Sequence, residues 1–173
     1  KSMNQKVFTN IILIILIVVL VGVAGYFVLV KKSPEVVQKT TTLPPENISV
    51  KVYFLNSRMK PINLCNEVVA AARVIPKTEK VATAAINELL KGLTSEERSA
   101  GYTNDIPAGS KLNSVTIVDG EARADFNATT ESGGGSCSMA VRTAQIRETL
   151  LQFPIVKTVK LSIDGRTEDI FQP

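Results

Sequence analysis

The chain has 173 residues and a mass of 18.7 kDa, which suits one domain with a hydrophobic core and is short for two. It contains no histidine, so Ser-His-Asp and Cys-His catalysis are excluded, and a zinc site would have only two cysteines and carboxylates as ligands. The net charge of +4 arises before Glu46, because 15 basic residues balance 15 acidic ones from Glu46 to Pro173, and a neutral domain predicts no nucleic-acid partner.

An apolar N-terminal segment follows a short tail at residues 1–6. The run from Val7 to Val30 carries no charge, and about 20 residues of helix span about 30 Å, the thickness of a bilayer's hydrocarbon core. Residues 7–30 are therefore predicted to form a transmembrane helix. A cleaved signal peptide is the alternative, with Gly22-Val23-Ala24 as its cleavage site. We favour an uncleaved signal-anchor because the apolar run continues to Val30.

The charges that flank this segment leave its orientation open. Lys31, Lys32 and Lys39 on its C-terminal side outnumber Lys6 and the amino terminus on the other, which by the positive-inside rule favours a cytoplasmic domain. Long domains translocate largely regardless of such charges, and two cysteines favour an oxidising compartment. We therefore expect a single-pass protein of the cell membrane with its domain on the extracytoplasmic side. Residues 31–47 are predicted to form a linker and residues 48–173 the folded domain.

The remaining pattern predicts strands and helices in the order β-β-α-β-β-α-β. Alternating apolar residues indicate strands, and apolar residues three and four positions apart indicate helices. Strands are predicted around Ile48–Leu55, Val68–Val74, Val115–Ile117, Ala122–Phe126 and Val159–Ile163, and helices around Val81–Leu93 and Met139–Phe153. This order indicates an α+β domain in which two helices pack on one face of a single mixed or antiparallel sheet.

Short local signals mark the ends of several elements. Thr78 is predicted to cap the first helix, and Thr94 with Glu97 has the spacing of a capping box. Asp119 and Gly120 stand between two alternating runs, which predicts a β-hairpin with a two-residue turn.

Motifs spread along the domain resemble the GerMN family of sporulation and spore germination. They are Pro76-Lys77-Thr78, Glu88-Leu89-Leu90-Lys91-Gly92-Leu93-Thr94, Ile106-Pro107-Ala108-Gly109-Ser110, Ser114-Val115, Asp119-Gly120-Glu121-Ala122, the glycine run Gly133-Gly134-Gly135, Gln152-Phe153-Pro154-Ile155-Val156 and Ile163-Asp164-Gly165. The resemblance covers about Val50 to Ile170. It implies a small extracytoplasmic α+β module, associated with spore assembly and peptidoglycan-related processes and similar in fold to ring-building modules of secretion assemblies. The family has no established catalytic residues, so the resemblance assigns none here.

The two cysteines, Cys65 and Cys137, are candidates for a disulfide. In an oxidising compartment an even cysteine count favours a bridge, and closing a loop of about 73 residues stabilises the fold by ~4 kcal/mol in the chain-entropy model. Two buried, unlinked thiols are the alternative in a cytoplasmic domain. A catalytic thiol at Cys137 is least favoured because no histidine is present to act as its base.

The glycine run before the second helix is a weak candidate binding site. Gly133, Gly134 and Gly135, followed by Ser136, would expose backbone N–H groups to an anion or a sugar hydroxyl. The glycine spacing fits neither a P-loop nor a dinucleotide-binding loop. A flexible loop that leads into a helix capped by Ser136 or Ser138 explains the same residues.

Basic and aromatic side chains provide the other candidates. Arg142 and Arg147, with Lys157 and Lys160 nearby, would form a basic patch toward anionic wall polymers, or simply a solvated face. Tyr102 is one of the few aromatic residues that could line a groove for a sugar or a protein partner.

These observations together favour a binding module that catalyses no reaction. We expect a membrane-anchored domain of the bacterial cell envelope whose partner is another envelope protein or a second copy of itself. Peptidoglycan binding is the alternative, and a cell-wall hydrolase is a less favoured one. No metal and no cofactor are expected.

Overall fold

The computed structural model describes residues 14–20, 26, 46–56, 58 and 65–173. The chain divides into two compact units, Lys1–Thr42 and Leu43–Pro173. Residues 14–20 and 26 are helical and exposed, whereas the predicted tail at 1–6, the rest of the predicted transmembrane helix at 7–30 and most of the linker at 31–47 lie outside the described residues. Within the described ranges, no helix has both the length and the apolar character that a bilayer crossing needs.

The second unit contains six strands, three α-helices and one 3₁₀ turn within the described residues. In chain order they are β1 (Asn47–Asn56), β2 (Val69–Pro76), α1 (Val81–Leu90), α2 (Ser95–Ser99), β3 (Tyr102–Thr103), β4 (Leu112–Val118), β5 (Glu121–Phe126), the 3₁₀ turn Ala128–Glu131, α3 (Ser136–Leu151) and β6 (Thr158–Ile163). All seven predicted elements are present, and the short helix α2 follows the capping-box spacing at Thr94. The structure adds the two-residue strand β3 and the 3₁₀ turn.

The strands form two sheets, so the prediction of a single sheet is wrong. One sheet has the order β2-β1-β3 and the other β4-β5-β6. β1 pairs antiparallel with β2 from Asn47↔Pro76 to Phe54↔Val69, and β4 pairs antiparallel with β5. β6 pairs parallel with β5 because α3 carries the chain back across the sheet. Alternation along a strand shows which face is buried, but it does not show which strands pair.

The two long helices contact each other and strands of both sheets. The core takes its largest side chains from each of these elements, namely Val52, Phe54, Ile86, Leu89, Phe126, Ile146, Leu150 and Ile163. Burying one such side chain fully stabilises the fold by about 1.5–3 kcal/mol. Both sheets therefore share one hydrophobic core with α1 and α3.

The inner face of α3 is partly polar because its side chains bond to the second edge of β1. Gln145 donates to the carbonyl of Tyr53 at 3.3 Å, and the Tyr53 N–H donates to Thr149 Oγ1 at 3.3 Å. The Lys51 N–H donates to Gln152 Oε1 at 2.8 Å, and Gln152 Nε2 donates back to the Lys51 carbonyl at 2.6 Å. Side chains of the helix thus replace a neighbouring strand along this part of β1.

Of the helix starts predicted from capping residues, one is confirmed and two begin at a different residue. Thr94 and Glu97 form the predicted capping box at the start of α2. The predicted cap at Thr78 is wrong, because Lys80 is the residue in the cap position of α1. The Thr78 hydroxyl accepts from the N–H of Lys80 and not from an N–H inside the helix. α3 begins after Gly135, so Ser136 is its first residue and neither predicted serine caps it.

A buried ion pair connects β2 to α2. The Arg73 guanidinium donates to both carboxylate oxygens of Glu97, from Nε at 2.8 Å and from Nη2 at 2.6 Å. Both side chains are only 11% exposed. Glu97 also accepts from the Thr94 N–H of the capping box, so one carboxylate holds the strand and the helix start together.

Candidate functional site

Sheet edges expose unpaired backbone groups, and several edges of this domain are partly bonded by side chains or loops. Arg147 donates to the Val159 carbonyl of β6 at 2.9 Å, and Ile163 at the end of β6 forms a bridge with Arg166. The second edge of β1 is bonded by α3, as described above. The hydroxyl of Tyr102 donates to the Ala70 carbonyl of β2.

The outer edge of β4 differs from these edges. Asp119 and Gly120 both have positive φ, 49° and 84°, which is the geometry of a type I′ hairpin turn closed by the pair Val118↔Glu121. Because hydrogen-bonded and non-hydrogen-bonded pairs alternate along an antiparallel ladder, the N–H and C=O of Val115 and Ile117 point away from β5. In the part of the chain that the structure describes, no other group bonds to them.

An apolar groove of about 690 Å³ runs beside this edge. We refer to it as the edge groove. It lies between the start of α1, the inner face of β4 and the segment that follows α3, and its lining residues are Glu79, Lys80, Val81, Ala82, Thr83, Asn113, Ser114, Val115, Ile117, Phe153, Pro154 and Ile155. Ile155 at its rim is 65% exposed. An exposed isoleucine beside a predominantly apolar groove is typical of a binding surface.

The charges around the edge groove are few. Glu79 and Lys80 lie at one end, and β4 itself contains no charged residue. The first turn of α1 contains no acidic side chain and its cap makes no side-chain hydrogen bond. Apolar contacts and backbone hydrogen bonds, rather than ion pairs, are the interactions that this surface offers.

A second, more polar groove of about 500 Å³ lies along the outer face of α3. We refer to it as the helix groove. Its lining residues are Asn66, Ser136, Met139, Ala140, Thr143, Ala144, Arg147, Glu148, Phe171 and Pro173. The structure therefore brings two predicted residues, Ser136 and Arg147, to one surface, at opposite ends of the same helix face. Burial, and then the charge of Glu148, raise the pKa of the nearby Tyr53 above its ordinary value.

Arg142 is buried and does not lie on a basic surface patch with Arg147. Its side chain is only 2% exposed, and its guanidinium donates to the carbonyls of Asp105 at 3.0 Å, Thr130 at 2.9 Å, Ser132 at 3.3 Å and Gly133 at 3.1 Å. Burial lowers the pKa of Arg142, and the charge of Asp105 opposes this shift. The residue holds two loops together from inside the domain and is not available to an anionic polymer.

The glycine run is shaped by this arginine. The Gly133 carbonyl accepts from Arg142, and Gly134 has φ of +95°, where an added Cβ would lie 2.7 Å from Ser138 Oγ. Only glycine fits this position without displacing the serine. Anion or sugar binding by Gly133, Gly134, Gly135 and Ser136 stays a prediction.

The other predicted residues have clear positions. Cys65 and Cys137 form the predicted disulfide, which joins the segment before β2 to the first turn of α3. Tyr102 is half-buried, with its ring edge-on to Phe54 at a centroid distance of 6.5 Å, and it lines neither groove. A role for Tyr102 as the wall of a binding groove is therefore not supported by its position.

Three hydrogen-bond donors surround the carboxylate of Asp125 on β5. This carboxylate accepts from Ser162 Oγ at 2.6 Å, the Gly165 N–H at 2.8 Å and Asn113 Nδ2 at 2.8 Å. Burial raises the pKa of Asp125, but these hydrogen bonds outweigh it and the net pKa lies below its ordinary value. In the described ranges, no three Asp, Glu, Cys or His side chains are grouped as metal ligands. The hydrogen bond from the Gly165 N–H connects Asp125 to the turn after β6.

The edge groove was not predicted from the sequence. One signal was present, because Leu112 to Val118 contains no charge and no proline, the residues that usually protect an edge strand. The remaining walls come from α1 and from the segment after α3, and only the folded chain brings these three regions together.

Comparison with known proteins assigns the domain to a family. The profile of the Germane family, described as sporulation and spore germination, matches residues 51–169. The first GerMN domain of the sporulation protein GerM from Bacillus subtilis is similar in structure, with a TM-score of 0.55 and 27% identity over 73% of this chain and 92% of that one. The tandem GerMN domains of the same protein give a TM-score of 0.56 and 25% identity over 74% of this chain and 44% of that one.

No curated protein sequence matches the chain significantly. The family profile covers well over half of the chain, in the same region that carries both sheets, the two long helices and the two grooves. The chain belongs to the Germane family and carries one GerMN domain, of the type associated with sporulation and spore germination.

Proposed function

We propose that this chain is a membrane-anchored GerMN domain on the extracytoplasmic side of the cell membrane that binds another envelope protein through the edge groove. The groove is the observation that carries the proposal. It combines an open sheet edge with an apolar lining and an exposed isoleucine, Ile155. The domain acts in this proposal by assembly and not by catalysis.

Two further features support the placement. The uncharged run from Val7 to Val30 is long enough to anchor the chain in a bilayer. The disulfide between Cys65 and Cys137 is the kind of bond that persists in an oxidising compartment. Protease added to intact or wall-stripped cells should digest the domain, and a domain that is degraded only after lysis would contradict the extracytoplasmic placement.

Site-specific photocrosslinking tests the binding role. A photoreactive residue at Ile155, 65% exposed at the rim of the edge groove, should give an adduct with one envelope protein in the native membrane. The matched control is Val74 on β2, which is 69% exposed and lines neither groove. No adduct at Ile155, or the same adduct from both positions, would remove the proposal.

Peptidoglycan binding is a second candidate, and one observation favours it. The helix groove places the hydroxyls of Ser136 and Thr143 on the same helix face as the charged groups of Arg147 and Glu148, a mixture suited to sugars and peptide stems. Cosedimentation of the full chain in detergent with isolated cell wall tests it. Retention that Thr143→Trp abolishes would support this function, and no retention would exclude it.

A further inference from the structure

The outward backbone groups of β4 specify what kind of partner fits the edge groove. The N–H and C=O of Val115 and of Ile117 point away from β5, and two such residues on a strand are about 6.8 Å apart. Paired donors and acceptors at this repeat are matched by the backbone of another β-strand. A globular surface without an open strand edge offers no such row of groups.

The composition of β4 sets its edge apart from the other edges. Among the described residues, α3 bonds to the second edge of β1, and β6 is bonded at Val159 by Arg147 and at Ile163 by Arg166. The outer edge of β2 has no strand beside it, but β2 contains Arg73 and ends at Pro76. β4 contains neither lysine nor proline nor any acidic residue, although natural edge strands are usually guarded by such residues. An unguarded edge of this kind is suited to receiving a strand.

The side chains of β4 indicate what the incoming strand carries. Val115 and Ile117 face the groove and are half-buried, whereas Thr116 and Val118 are exposed and do not line it. Residues of an added strand follow the same alternation. Every second side chain would therefore enter the apolar groove beside Phe153, and the intervening ones would face solvent.

We propose that the edge groove takes up an extended polypeptide segment of another protein, which adds as a fourth strand beside β4 and places apolar side chains at alternate positions. This inference deepens the proposed function and rests on it. A second copy of this chain fits less well, because its own Val115 and Ile117 already pack against its own core. A segment not yet folded into a domain has its apolar side chains free to fill the groove.

A designed peptide tests this mode of binding. The probe is a synthetic peptide of alternating valine and threonine with an aspartate at each end, added to the full chain in detergent micelles. Its binding should slow hydrogen exchange at the amides of Val115 and Ile117, because an added strand bonds to these groups. No binding at millimolar concentration, or binding without slower exchange at these amides, would overturn the proposal.

Two versions of the peptide provide a matched control within the ligand. One carries N-methyl groups on the valines and the other on the threonines, so that only one set removes N–H groups that face β4. For an antiparallel strand the valines face β4, and losing two hydrogen bonds at about fivefold each should weaken binding about 25-fold. A parallel strand reverses the two peptides. Equal affinities for both would overturn strand addition, whichever orientation is assumed.

A protein variant completes the test. Ile117→Pro removes the outward N–H of Ile117 while leaving the ladder between β4 and β5 intact. Because it also removes a side chain of the groove, its control is Ile117→Ala, and it should bind the unmodified peptide about fivefold or more weakly than that control. If crosslinking at Ile155 succeeds but both methylated peptides bind equally, the groove binds its partner in another way and only this inference fails. Absence of crosslinking at Ile155 removes the proposed function instead.

Discussion

Replacing Arg142 by alanine should destabilise the domain more than removing any surface charge. The side chain is 2% exposed and donates to four backbone carbonyls. These carbonyls belong to the loop before β4, to the 3₁₀ turn and to the segment between that turn and α3. Alanine would leave them without their donor and would open a cavity where the guanidinium lies.

The magnitude follows from the partners that are lost. The Thr130 carbonyl bonds to Arg142 in a fully buried position, and a buried acceptor without a partner costs about 1–3 kcal/mol. The other three carbonyls are partly accessible, so water replaces some of each bond, at about 0.5 kcal/mol apiece. Removing the desolvated guanidinium offsets part of this cost. We expect a net loss of about 3 kcal/mol, or about 10 °C in Tm for a domain of this size.

Thermal unfolding of the full chain in detergent, followed by circular dichroism, measures this loss. Arg142→Lys keeps the charge but only one nitrogen, so its Tm should fall between those of wild type and Arg142→Ala. The control is Arg123→Ala, since Arg123 is 66% exposed and pairs with Glu121 on the surface, where such pairs contribute about 0.2–1 kcal/mol. A Tm for Arg142→Ala no lower than that of the control would refute the structural role assigned to this arginine.

Three more predictions concern the disulfide, the buried ion pair and acid. Reducing Cys65–Cys137 should lower the free energy of unfolding by ~4 kcal/mol, and identical urea midpoints with and without reductant would contradict this. Arg73→Met leaves the largely buried Glu97 carboxylate without its ion-pair partner and should cost about 3 kcal/mol; adding Glu97→Gln, which can still accept from the Thr94 N–H, should restore part of it, and no recovery in urea titrations would argue against the pair. Because hydrogen bonds outweigh burial and lower the pKa of Asp125, its stabilisation is complete above the unfolded value of about 3.9 and is lost as the pH falls through the native value. Asp125→Asn should flatten the dependence of the unfolding free energy on pH below about 4, and a profile unchanged from wild type would exclude this carboxylate as a cause.

Local features could be predicted from the sequence because their causes lie within a few residues. Asp119-Gly120 forms the expected turn since both positions take positive φ, and Thr94 with Glu97 forms the expected capping box. The disulfide was also predictable in its pairing, because the chain has only two cysteines. Each of these signals depends on a short stretch or on composition alone.

Features that depend on distant residues could not be predicted in the same way. The partition into two sheets depends on α3, whose Gln145 and Thr149 bond to β1. From the sequence alone, a polar residue on a helix is predicted to face solvent. Arg142 shows the same ambiguity, since its burial is explained by carbonyls from two loops. The edge groove is built from three separate segments, so no single stretch of sequence predicts it.

The bonds between β1 and α3 also limit how early the domain can fold during synthesis. They join residues 92 to 101 positions apart, so the first strand leaves the ribosome long before its second edge has a partner. At about 5–20 residues per second this delay lasts about 5–20 s. A nascent chain that stops before Gln152 leaves that strand open to pairing with other chains, and native folding has to wait until Gln152 has been synthesised.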